Sequence, residues 1–463
     1  MSDIRKIMRS QFTDMEIFND AQKYAYEYIN SAYERKVFPI GSALKQLSAF
    51  DEELPIETQN AKDLLHLLHL KGSPATTITS GGRYFGFVVG GVLPIGIAAR
   101  WLSDVWDQNT GLYIISPIAS KLEEVCEKWL IKLFGLPEET VAGYVSGTSS
   151  ATLSGLAAAR YRLLANLNWD VSSKGLFGAP RIRVILSEYA HGTVFKALSL
   201  LGLGRDNVER VPVDEQGRID VEQLPDFDEK TIVITQAGDV SSGAFDPIDE
   251  ICKRAEEAGA WVHVDGAFGL WAAASEQKKH LTKGIEKANS CSVDAHKTLN
   301  TPYDCGIILC KDREALVSSM QLTGSYIQAS ENRDGMDYTP DMSRRARVVE
   351  LWASLKFLGK NGIEDLVDGL CERAVQFGEQ LSENGFRILN DIVFNQVLVA
   401  CDSPEETKAT LKNIQSSGEC WCSGTEWNDE PVIRISVCSW AITTDDVDRS
   451  VKAFVEARRI AKY

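Results

Sequence analysis

The sequence predicts an α/β chain: a mainly parallel central sheet flanked by helices, followed by a small C-terminal α+β domain. Three observations carry this. Short apolar runs recur between about residues 141 and 310, as RIRVILSEYAHG, TIVITQAG, WVHVDGAF and ANSCSVDAHK, each ending in polar residues. Helical stretches such as DEICKRAEEAG lie between several of them, which is the pattern of βαβ units. From about residue 361 the order changes to a helix, FNQVLVAC, a helix, PVIRISVC and a final helix. The expected organisation is therefore an N-terminal helical segment (1–80), a large domain (81–360) and a small domain (361–463). No internal repeat or low-complexity linker interrupts it.

Composition bounds the function. The 463 residues are 44% hydrophobic and 25% charged, as in an ordinary soluble protein with a large core. The formal charge of −16 argues against nucleic acid or an anionic membrane as partner, since both need a basic face. Ten scattered cysteines without a C-x-x-C pair suggest reduced thiols in a cytoplasmic enzyme. Cys420 and Cys422 have no matching ligand pair nearby and read as packing residues. The N-terminus MSDIRKIMRSQFTDMEIFND is mixed and charged, without the apolar core of a signal peptide.

Taken in chain order, residues 12–70 read as amphipathic helix. His66 and His69 in NAKDLLHLLHL stand at i,i+3, but no third ligand is nearby, so a surface or packed role is expected and no metal site. FGFVVGGVLPIGIAA (85–99) is too short for a membrane span and is broken by four glycines and Pro94. It reads as a buried loop or helix start beside a site. SPIASKLEEVCEKWLIKLFGLPEE is a helix, expected to be capped by Ser120 with Glu123 and ended by Gly135 and Pro137.

The chemistry lies further on. GYVSGTSSATLSGLAAAR (143–160) leads a Gly/Ser/Thr turn into a helix, whose free N–H groups suit a phosphate or simply a cap. His191 follows an apolar strand, where a flat ring stacks on a flat cofactor or packs in a core. Asp265 ends the strand of WVHVDGAFG, and a buried carboxylate there needs a cationic partner such as a protonated pyridine nitrogen. Ala267 leaves room beneath a ring. Lys297 in SVDAHKTLN ends another strand, where a desolvated amine can form a Schiff base. Sites in such sheets gather beyond the C-terminal strand ends. The order of phosphate turn, His191, Asp265 and Lys297 describes a pocket for pyridoxal 5'-phosphate (PLP).

On these residues, and on GGRYFGFVVGG, SPIASKLEEVCEKWL, HVDGAFG, DAHK and SRRARVVELWASLKFLG, the chain resembles a known family. It is similar, from about residue 40 to 455, to the group II PLP-dependent amino-acid decarboxylases, which include the aromatic amino-acid, glutamate and diaminobutyrate enzymes. Their fold is of the fold-type I, PLP-dependent transferase-like class. The resemblance implies that Lys297 holds PLP, that Asp265 pairs with the pyridine nitrogen and that His191 stacks on the ring. It implies that Gly147, Thr148, Ser149, Ser290 and His296 surround the phosphate. Tyr338 in GMDYTPDMSRR matches a mobile-loop tyrosine that returns a proton, with Tyr326 as its rival. Asp294 stands where several relatives have Asn, and Asp239 and Val240 where relatives have Thr-Thr. The loop from Tyr338 to Arg344 is shorter than in the aromatic enzymes.

The implied reaction is decarboxylation of an L-amino acid to an amine and CO2, with Lys297 displaced by the substrate amine. The alternatives on the same scaffold are a carbon–carbon lyase like sphingosine-phosphate lyase, an aldehyde synthase, an aminotransferase or a non-catalytic paralogue. Phe85, Trp101 and Trp106 suggest an apolar or aromatic substrate side chain, and Arg434 a carboxylate clamp or a strand-end arginine. A homodimer with sites at the subunit interface is expected by resemblance.

Overall fold

The computed structural model describes residues 3–321 and 331–462. Its larger sheet has seven strands: β2 (Val141–Val145), β3 (Arg183–Ser187), β4 (Glu209–Val211), β5 (Thr231–Gln236), β6 (Trp261–Asp265), β7 (Ser290–Asp294) and β8 (Gly306–Cys310). The spatial order is β2-β8-β7-β6-β5-β3-β4. The neighbours from β7 through β4 pair in parallel, and β8 runs antiparallel to both β7 and β2. Every residue of β5, β6 and β7 is buried, which is why these runs are apolar without alternating with charge. The pleat still sorts them. Ile232 and Ile234 face one core, under the helices Thr148–Asn166 and Gly192–Leu200, while Val233 faces the other, under Pro117–Phe134 and Ile248–Ala258.

The helix Thr148–Asn166 lies unusually close to the sheet. A Cβ at Gly155 would stand 2.7 Å from His263 Nδ1, so only glycine allows this approach. His263 itself is fully buried, and its Nδ1 bonds Ser290 Oγ at 2.8 Å. The helix Pro117–Phe134 begins earlier than expected. Ser116, not Ser120, is its cap and accepts from the Ala119 N–H, because Pro117 is pre-set for the first helical position. Glu123 is instead buried against Arg333 and Arg344.

The smaller sheet has the order β1-β11-β12-β10-β9, with β1 (Tyr84–Phe85), β9 (Arg387–Ile388), β10 (Gln396–Ala400), β11 (Trp421–Trp427) and β12 (Glu430–Ser436). Residues 84–85, grouped on sequence with the large domain, thus pair in parallel with a C-terminal strand. The helix Val348–Glu383 runs from the larger core to the smaller one and is kinked at Gly359, whose φ is 60°. His66 and His69 pack on Tyr24, and His69 Nε2 lies 3.0 Å from Glu27. All ten cysteines are buried free thiols. Among the described residues, no helix is long and apolar enough to cross a membrane.

Candidate active site

The parallel strands deliver their C-terminal ends to one edge of the sheet, and a cavity of about 220 Å³ opens there. β2 leads to Gly147, β3 to His191, β5 ends at Gln236, β6 at Asp265, and β7 at Asp294 just before Lys297. All of these residues line the cavity. β8 starts at the same edge, and a Cβ at Gly306 would lie 2.3 Å from Gly147 Cα, so glycines hold the turn tightly against the sheet.

Each side chain is fixed by its surroundings. Asp265 is buried, and its Oδ1 accepts the Ala267 N–H at 3.2 Å. Burial pushes its carboxyl above the usual range, an effect that His191 and Lys297 oppose. His191 caps the helix Gly192–Leu200, and its Nδ1 lies 2.8 Å from Thr193 Oγ1. The His191 ring is reached from the cavity but is surrounded by enough protein that desolvation lowers its pKa. Lys297 Nζ lies 3.2 Å from Asp294 Oδ2. Asp294 Oδ1 accepts the Thr148 N–H at 2.7 Å. His296 Nδ1 lies 3.0 Å from the Cys305 carbonyl, and its ring is 4.2 Å from that of Tyr303. Burial lowers the His296 pKa. Two buried polar atoms of the lining, Thr148 Oγ1 and Gln236 Nε2, have no protein partner.

The model of the pyridoxal-dependent decarboxylase conserved domain matches residues 44–400. The chain belongs to this family. The enzyme is a PLP-dependent decarboxylase. An aromatic-L-amino-acid decarboxylase of Bacillus atrophaeus is 27% identical over 431 residues, 88% of each chain. The Oryza sativa TDC structure with PLP and tryptamine shares the fold at a TM-score of 0.86 and 21% identity, over 96% of this chain and 97% of that one. A 4-hydroxyphenylacetaldehyde synthase of Rhodiola rosea shares it at 0.82 and 21%, over 99% of each.

The decarboxylase cavity suits PLP on its own chemistry. It offers an amine in Lys297 and a buried carboxylate in Asp265. The helix N-terminus at Thr148 adds a buried hydroxyl without a protein partner.

Other expected residues lie elsewhere in the decarboxylase. Ser290 is at the opposite end of β7 from Asp294, roughly 13 Å along the strand, and accepts from Trp261 Nε1 while bonding His263. It does not line the cavity. Phe85 is fully buried and packs edge-on against Phe377 in the smaller core. Trp101 lies on the outer helix Pro94–Trp106 near Tyr26, away from the cavity, and Trp106 ends the same helix. Tyr338 is buried and does not line the cavity, with Arg333 4.1 Å over its ring and its hydroxyl accepting from Arg313. Tyr326 lies outside the described residues. Arg434 stands one layer behind the lining, its Nη1 donating to the Val240 carbonyl at 3.2 Å. Asp239 caps its own turn through the N–H groups of Ser241 and Ser242. Sequence reasoning missed Gln236 and Thr193, and in the stretch it expected beside a site it singled out Phe85 where Phe87 and Val88 line the cavity. Gln236 was findable by the same strand-end rule that selected Asp265.

Proposed function

We propose that the enzyme removes CO2 from an L-amino acid with an apolar or aromatic side chain and releases the amine. The supporting observation is the convergence of Lys297, Asp265, His191 and the Gly147–Ser149 turn on one cavity. Bound PLP supplies the electron sink for the bond broken at Cα. Lys297 is the amine that anchors the cofactor and that the substrate amine displaces. Asp265, buried and needing a cation, holds a proton on the ring nitrogen. His191, with its Nδ1 fixed by Thr193, presents its ring face to the cofactor. The N–H groups at Thr148 and Ser149 and the Thr148 hydroxyl bind the phosphate. Arg434, behind the lining, supports the cavity wall through its Nη1 donating to the Val240 carbonyl. Phe87, Val88 and Val240 give the cavity an apolar wall, in keeping with the aromatic substrate class named for the Bacillus relative.

Two copies are proposed to associate, because Ile4, Ile7, Phe12 and Phe18 on the N-terminal helices are exposed and such apolar surface is normally covered. The reduced thiols favour the cytoplasm. A second reaction on this fold is oxidative: dioxygen takes two electrons and becomes hydrogen peroxide, and the amino acid leaves as an aldehyde, CO2 and ammonia. An aldehyde synthase shares the fold.

The test is a panel of amino acids with the PLP-loaded enzyme, followed by CO2 detection and product mass spectrometry. Amine with stoichiometric CO2 is expected. An aldehyde with ammonia would favour the second reaction, and no CO2 from any amino acid would sink both. Lys297→Ala should lose the visible-edge absorbance of the purified protein together with activity.

A further inference from the structure

We propose that Asn300 is the positioning residue for Lys297. Its side-chain amide holds the turn that carries the lysine against two other segments of the chain, and so sets where the amine stands when it bonds to the cofactor aldehyde. This rests on the reading of Lys297 as the amine that anchors the cofactor.

Three stretches of chain meet at Asn300. The first is its own turn after β7, where the Asn300 Nδ2 donates to the carbonyls of Lys297 at 3.0 Å and Thr298 at 2.8 Å. The second is Gly91, whose N–H the Asn300 Oδ1 accepts at 2.8 Å. The third follows β12: the Nδ2 lies 2.9 Å from the Cys438 carbonyl, and the Oδ1 accepts the Trp440 N–H at 2.9 Å. The backbone repeats the pattern. The Asn300 N–H donates to the Lys297 carbonyl at 3.0 Å, and the Asn300 carbonyl accepts the Leu93 N–H at 2.9 Å. Among the described residues, Asn300 alone donates to the Lys297 carbonyl. The residue is fully buried.

Position 300 is constrained twice over. Its φ is 60°, in the left-handed region that asparagine enters more readily than most side chains do. Its side chain then meets two N–H groups with one atom and three carbonyls with the other. An amide supplies an acceptor and donors together, whereas a carboxylate supplies acceptors alone. The partners also fix which way the amide points, since exchanging its O and N would set donor against donor and acceptor against acceptor.

These contacts bear on the lysine because the packing around it leaves no slack. A Cβ at Gly90 would stand 2.2 Å from the Lys297 carbonyl oxygen and 2.4 Å from that of His296, so the Gly90 backbone rests on the lysine's own peptide. Just before it come Phe87 and Val88, which line the cavity. Trp440 returns to the same stretch, its Nε1 donating to the Val92 carbonyl at 2.9 Å. Asn300 thus ties the lysine turn, the cavity wall and the end of the smaller sheet into one unit. When Lys297 bonds to the aldehyde, its amine adds to the aldehyde carbon and one water leaves. That step depends on where the amine stands. Binding of the cofactor's ring and phosphate does not, and this separates positioning from a general loss of structure.

Asn300→Gly keeps the left-handed backbone and removes the amide. Asn300→Asp keeps an acceptor for Gly91 and Trp440 and removes the side-chain donor to Lys297, Thr298 and Cys438. The apoenzyme is mixed with PLP, whose bond to Lys297 is followed by the visible-edge absorbance band. In parallel it is titrated with 4-deoxypyridoxine 5'-phosphate, which lacks the aldehyde and cannot bond to the lysine. Both variants should form the band at least about tenfold more slowly than wild type, while binding the deoxy analogue as tightly. Band formation at the wild-type rate in either variant overturns this inference alone. Equal weakening towards both probes does the same, since a merely structural role would give that result. A band that wild-type protein fails to form, or that Lys297→Ala keeps, overturns the reading of Lys297 and this inference with it. Should neither variant fold, hydrogen exchange of the wild-type protein gives the answer. Peptides containing Gly91 and Trp440 should gain more protection from PLP than from the deoxy analogue, and equal protection overturns the proposal.

Discussion

Tyr338 and Phe87 show what single residues do here. Tyr338 is clamped by Arg333 and Arg313 in the core under the helix Thr148–Asn166. Tyr338→Phe removes one hydrogen bond and should cost about 1 kcal/mol of stability, read from denaturant unfolding, with kcat unchanged. A large loss of kcat at unchanged stability would return this tyrosine to the chemistry. Phe87 and Val88 both have positive φ, 54° and 55°, which side chains rarely adopt and which costs energy. That pair turns Phe87 into the cavity, two residues after Phe85 has gone into the core. Phe87→Gly should therefore leave the melting temperature equal or higher while raising KM. Lys297, Asp265 and His191 were legible because each follows an apolar run, and strand ends of a parallel sheet share one edge. Ser290 misled because nearness to Lys297 in sequence spans a whole strand in space. Phe85 misled because nothing in the letters announces a left-handed phenylalanine and valine beside it.

At the scale of elements, the helix Thr148–Asn166 carries the turn proposed to hold the phosphate and must lie close to β6. Gly155→Ala would raise helix propensity by about 1 kcal/mol in an open helix. Here the new methyl meets His263 at 2.7 Å and Ile308 Cδ1 at 3.0 Å. The substitution should lower the melting temperature and weaken cofactor binding, since the turn moves with the helix. A rise in melting temperature would mean that the helix is free to retreat. The sheet and its helices could be read from sequence, since strands buried on both faces leave unbroken apolar runs. Helix starts were less readable. Ser116 and Ser120 are equally good caps by composition, and Pro117 decides between them only once the geometry is known. The strand at Tyr84–Phe85 was not readable either. Its partner, β11, lies more than three hundred residues away, and no local pattern encodes such a pairing.

At the scale of the whole molecule, buried titratable groups set how stability follows pH. Asp246 accepts the N–H groups of Ile219 and Gln236, and burial raises its carboxyl from 3.8 to about 7. The folded chain keeps that proton where the unfolded chain has lost it. Its contribution is therefore complete below about pH 3.8 and lost as pH rises towards 7. Asp246→Asn should gain stability relative to wild type over that window, and a difference that stays constant with pH would contradict this. His263 works the other way. Burial lowers it from 6.5 to about 3, so folding loses stability as pH falls through that range. Across the chain, the ten thiols share one condition: each is buried, in cores on both sides of the larger sheet and in the smaller one. The native surface is thus blank to thiol reagents. A colorimetric thiol reagent should find almost none in the folded enzyme and all ten once it opens, which makes the natural sequence its own reporter of unfolding. A single cysteine added to the surface would then be labelled alone, with no native thiol needing replacement.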